Sequence, residues 1–165
     1  MRPRLTAEEI FAKNFTAQKF LVTREAYRGD ASSPEHAEAL KQKALYYEAI
    51  MAYSKEEYAS ATLLFEQYLE KSSSERKEVA LYLGISYLNT QQLQAAKEEF
   101  AYLLKNGSNY KKQDAEWYLV LTLLKEKKIE QVKKSLSKII THTPEHAYQE
   151  KAQVLLKEIQ QQYQP

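Results

Sequence analysis

Cysteine is absent from the 165-residue chain, which excludes disulfides, thiolate metal centres and a cysteine nucleophile, and leaves the redox compartment open. Glycine and proline are scarce, at 3 and 4 residues. So few chain breakers argue against a Gly-rich phosphate loop and for helices joined by short turns. Neither sign of charge dominates: 24 Lys plus Arg against 22 Asp plus Glu leave +2, too little to steer a polyanion. No apolar run approaches the roughly 18 residues of a spanning helix. The start Met-Arg-Pro-Arg-Leu-Thr has no apolar stretch after its charges, so no signal peptide is read. Tyrosine, by contrast, is abundant, at 13 residues. The length suits one domain able to bury roughly two-thirds of its unfolded surface.

The few breakers divide the chain. Gly29 to Pro34, Lys71 to Ser74, Asn106 to Asn109 and Thr143-Pro144 mark the divisions. Between them the apolar spacing is helical: Leu81, Gly84, Ile85 and Leu88 fall at i, i+3, i+4 and i+7. Ser33-Pro34-Glu35-His36-Ala37 and Thr143-Pro144-Glu145-His146-Ala147 share one helix-start signature: a hydroxyl cap, proline in the first helical position and an acid in the first turn. Asn106-Gly107 reads as a helix end, with glycine free to turn left-handed. No segment alternates with period two. The expected fold is all-α from about residue 34 onward.

Residues 1–33 differ. Ile10, Phe11, Phe15, Phe20, Leu21 and Val22 are apolar, but helical spacing lapses after Phe20. A short helix near Ala7 to Asn14 followed by an extended, turn-rich passage is expected. That many large apolar side chains do not belong in a disordered tail. The arm should pack on something.

The chain also repeats itself. The run Ala80 to Leu88 lies 36 residues before Glu116 to Leu124, and the same shift places Leu93, Ala96 and Phe100 over Ile129, Val132 and Leu136. In the other direction, Tyr58, Ala61 and Phe65 lie 35 residues before Leu93, Ala96 and Phe100. A small residue four before a large one lets two helices approach while the large one fills the gap beside them. Such a period suggests stacked helix pairs. Leu83-Gly84-x-x-Tyr87 followed by Ala96-x-x-x-Phe100 resembles the tetratricopeptide repeat. Residues 112–144 resemble it with Val120, Leu123 and Val132 in place of the Gly, Tyr and Ala, and residues 42–70 carry Tyr58-x-x-Ala61-x-x-x-Phe65. The resemblance implies a right-handed helix–turn–helix solenoid: an arm over 1–33, about three helix pairs over 34–144, and a capping helix over 145–165. The run Glu8 to Phe15 resembles the segment before the repeats in some bacterial membrane-anchored tetratricopeptide proteins. It implies that any membrane attachment comes through an anchor upstream of Met1, and that these residues are otherwise cytoplasmic or the soluble part of such a protein.

The family holds peptides or partner helices on a concave face made by the first helix of each pair. The matching positions are Tyr46, Ile50 and Tyr53, then Leu81, Ile85 and Asn89, then Trp117, Leu121 and Lys125. An aromatic and aliphatic groove suits an apolar or amphipathic segment, with Tyr hydroxyls to fix its register. The same stripes also read as core between neighbouring pairs. The expected function is a non-enzymatic protein-interaction module or scaffold; the alternative is an assembly domain whose groove is filled by its own arm, in cis or swapped between two chains.

The remaining motifs carry less. His142 and His146 stand four apart, but Pro144 should separate them onto two helices, and the metalloprotease Glu is replaced by Thr143. No metal or cofactor is expected. Residues 111–165 hold 10 Lys against 7 acids, an excess of +3 without one Arg, which is thin for nucleic acid. Asp occurs only at 30 and 114, the Ser residues lack a nucleophile-elbow context, and pairs such as Glu98-Glu99 should face solvent. An enzyme is not expected.

Overall fold

The computed structural model of the chain describes residues 5–19, 34–142 and 146–163. The expected breaks at 29–33 and 143–144, and the apolar run 20–22, lie outside the described residues. The elements are α1 (Ala7–Asn14), α2 (Pro34–Ser54), α3 (Tyr58–Lys71), α4 (Arg76–Asn89), α5 (Leu93–Asn106), α6 (Asn109–Lys125), α7 (Ile129–Ile140) and α8 (Gln149–Gln162), with one 3₁₀ turn at Ser73–Glu75. No strand occurs among the described residues. The protein is all-α.

Three pairs, α2–α3, α4–α5 and α6–α7, are closed by one turn used three times. Its left-handed residue is Glu56, Gln91 or Lys127, at φ 62°, 63° and 57°. The following amide donates five residues back each time, Glu57 to Ala52, Gln92 to Tyr87 and Lys128 to Leu123, at 2.9, 2.9 and 3.0 Å. These bonds satisfy carbonyls that a helix end leaves open. The turns recur at the interval seen in the sequence. None of the three left-handed residues is glycine. Gly107 instead follows α5 with extended backbone, φ −74° and ψ 163°, so its expected left-handed role is corrected. A Cβ there would lie 2.6 Å from the Leu103 carbonyl oxygen, and that close approach is what requires glycine.

Each first helix packs on its second, and the pairs then pack on one another through α3 against α4, α5 against α6 and α7 against α8. Helix α4 is the middle of the core, with Val79, Leu83, Ile85 and Leu88 all closed to solvent. At Gly84 the small-to-large rule is visible directly. A Cβ built on it would stand 2.6 Å from Cε1 of Phe100, whose ring is fully buried. The polar side chains inside this core are satisfied locally. Thr62, Ser86 and Thr122 each donate to the carbonyl four residues back, those of Tyr58, Tyr82 and Tyr118.

Two polar expectations are corrected. Glu99 does not face solvent: it is buried and takes both a 2.8 Å and a 3.1 Å bond from the Arg76 guanidinium, joining α5 to the start of α4. A fork of this kind is what an enclosed carboxylate requires. The last helix starts at Gln149, later than the Thr143 signature places it, with Tyr148 as its cap residue; the Tyr148 ring lies flat on Trp117, ring centroids 5.1 Å apart and planes 6° apart.

Candidate functional site

The N-terminal arm lies against α6 and has Tyr53 of α2 and Asn89 of α4 beside it. Thr6-Ala7-Glu8-Glu9 forms a reciprocal capping box: the Glu9 amide donates to Thr6 Oγ1 at 3.2 Å and the Thr6 amide to Glu9 Oε2 at 2.7 Å. Helix α1 therefore holds its short length against fraying and packs on α6. Ile10 and Phe11 are buried beneath it. Phe15 stacks on Phe11 at 5.2 Å and meets Tyr118 edge-on at 6.3 Å. The Lys125 ammonium stands 4.4 Å above the Phe11 ring, and burial lowers its pKa. Charge and amide contacts tie the arm to α8. Lys13 pairs with Glu158 at 2.6 Å, and the Leu5 amide donates to Gln162 Oε1 at 3.0 Å.

Phe15 ends the helix with extended backbone, φ −76° and ψ 129°, and residues 15–19 belong to neither helix nor strand. Two tyrosines from different helices hold this stretch by its main chain. Tyr118 donates its hydroxyl to the Thr16 carbonyl at 2.6 Å, and Tyr53 to the Gln18 carbonyl at 2.8 Å. Carbonyls two apart face the same way in an extended chain. Burial pushes both phenols well above their ordinary pKa, so each is a donor throughout the physiological range. Beside the seated residues runs a cleft of about 690 Å³ lined by Phe15, Ala17, Gln18, Tyr53, Tyr58 and Asn89.

The nine groove positions expected from sequence divide into two sets. Tyr53 and Lys125 touch the arm, Asn89 lines its cleft and Tyr46 is half-buried, its phenol pushed up to about 12 by burial. Ile50, Leu81, Ile85, Trp117 and Leu121 are buried core. Tyr118 is not among the nine expected positions. Trp117, one residue away, is, but Trp117 faces Tyr148 while Tyr118 reaches the arm. The capping box at Thr6 and Glu9 was a readable signal of where the arm's helix starts. Glu158 and Gln162 had no sequence signal as arm contacts.

The histidines meet after all. The His142 and His146 rings lie 5.5 Å apart, edge to face, although Pro144 was expected to keep them apart. His146 is buried. Its Nδ1 accepts from the Tyr148 amide at 3.1 Å, which leaves Nε2 to donate to Glu116 at 2.9 Å. Both nitrogens are thus engaged. Among the described residues no group of three or more His, Asp or Glu is placed to hold a metal ion, and no described helix is long and apolar enough to cross a membrane.

Comparison with protein-family models, curated proteins and solved structures found no match.

Proposed function

We propose that this chain is a non-enzymatic protein-interaction domain of tetratricopeptide-like helix pairs, with the face of its first helices as the binding surface and its own arm as the resting occupant. One observation carries this: Tyr53 and Tyr118 hold the arm by its carbonyls, as a groove holds a bound peptide. The ties to Glu158 and Gln162 favour a second reading, a purely structural arm that never leaves. Panning a random peptide-display library on the full chain and on its Phe11→Ala, Phe15→Ala variant separates the two. Peptides should enrich on the variant and not on the unaltered chain, and should protect amides near Tyr53 and Tyr118 from hydrogen exchange. Enrichment on neither chain favours the structural reading.

A further inference from the structure

We infer, resting on that reading, that the face takes one class of ligand: a segment of another protein carrying two aromatics four residues apart on a short capped helical turn, followed directly by an extended stretch that is read through its main chain. The arm supplies the template. Phe11 is buried with the ammonium of Lys125, the last residue of α6, above its ring, and Phe15 stacks on it and reaches Tyr118. Aromatics at i and i+4 lie on one side of a helical turn, so a single turn presents both. Beyond Phe15 the contacts change in kind. The Thr16 and Gln18 carbonyls are bound, whereas the side chains of Thr16 and Lys19 are exposed. Such a seat selects the aromatic pair and an extended backbone, and ignores the side chains at those two positions.

A cut-arm exchange tests this on the full chain. A protease site is placed between residues 20 and 33, and a labelled peptide of residues 5–19 is the probe. Before cutting, the tether keeps the arm at a local concentration of about millimolar, and the probe should not bind. After cutting and dilution it should exchange in and saturate. A probe with Phe11→Ala and Phe15→Ala should bind at least about a hundredfold more weakly. Probes with Thr16→Ala or Lys19→Ala should bind as the original does. Tyr118→Phe, or Tyr53→Phe if the first variant folds poorly, should weaken the original probe about three- to tenfold. Should cutting unfold the chain, the same probes are offered to the uncut Phe11→Ala, Phe15→Ala variant. Equal binding of the Phe→Ala probe, loss of binding with Thr16→Ala, or no binding in either format overturns the inference. Peptides that pan onto the variant without an aromatic pair would leave the proposed function standing and remove the ligand class alone. Dimers that form by exchanging arms, and disappear with Phe11→Ala, would support it, since the arm is itself a ligand of this class.

Discussion

The α4–α5 pair and the arm's seat are built from the same residue types and held in opposite ways. Between α4 and α5 the contact is side chain into side chain, with Phe100 filling the space that only a glycine at 84 leaves. Under the arm, the extended stretch is held by hydroxyls on carbonyls. The first arrangement fixes which residues stand where, because a close-packed interior tolerates neither gap nor excess. The second fixes a backbone path and one aromatic pair. A core of the first kind cannot be exchanged without unfolding; the proposed function requires that a seat of the second kind can change occupants. That difference is why the proposed binding surface lies at the arm rather than along the buried aliphatic stripes.

The largest expected effect strikes the pair. Gly84→Leu forces a side chain into the buried Phe100 ring and should cost about 3 kcal/mol or more, read as a lowered denaturant midpoint for the whole chain. Phe11→Ala comes next. It removes a buried ring and should weaken the arm's docking by about 3 kcal/mol. Here the response should be local: amides of α1 should exchange much faster while those of α4 hardly change. Equal acceleration in both helices would erase the distinction between core and seat. Tyr118→Phe should cost about 1 kcal/mol through one lost bond to the Thr16 carbonyl, again confined to the arm's protection.

A smaller effect, of opposite sign, tests the turns that the pairs share and the arm lacks. Gln91 holds φ 63°, a conformation that strains a residue bearing a Cβ. Gln91→Gly should stabilise the fold by about 0.5–1 kcal/mol, the relieved strain exceeding the added freedom of the unfolded chain. The gain should appear in the denaturant midpoint and leave the arm's exchange untouched.

The sequence disclosed the repeating part of this molecule far better than the rest. Period, small-to-large spacing and scarce breakers are local patterns, and the all-helical class was legible in them. Glycine misled at Gly107, since a close approach and a left-handed turn ask for the same residue; the true left-handed positions fell on Glu56, Gln91 and Lys127, where pairing of the flanking helices overrides local preference. The site was half legible. A helical stripe says which residues share a face, but not whether another helix or the arm covers it, and so Ile50 and Leu81 could not be told from Tyr53. Trp117 and Tyr118 differ by one position, about 100° around the helix, and the register was decided by Tyr148, which is distant in sequence. His146 and Glu99 had partners, Glu116 and Arg76, that no spacing rule connects to them.

The smallest expected effect lies at the α6–α8 boundary, a polar contact set among side chains as the core is. Asp114 accepts a 2.6 Å bond from the Tyr148 hydroxyl. Burial raises its pKa above the ordinary 3.8, outweighing that bond and the nearby His146, which both lower it. The folded chain therefore holds this proton more tightly than the unfolded one. Its contribution to stability is fully present below 3.8 and is lost as pH rises through the raised folded value. Glu126 runs the other way: burial raises its pKa, but the Lys97 and Lys128 ammoniums overcome this and the net value falls below 4.5. Its contribution is present above 4.5 and lost as pH drops through the lowered value. Asp114→Asn keeps an oxygen for the Tyr148 hydroxyl and removes the carboxylate that burial disfavours. The variant should melt slightly higher than the unaltered chain at neutral pH, and the gap should close in acid as Asp114 takes up its proton. Glu126 is common to both chains and cancels from that difference. Melting temperatures of the two chains compared across the acid range check it. A variant that melts lower at neutral pH, or a gap that stays constant into acid, would show that the Tyr148 bond to a charged partner outweighs burial at this boundary.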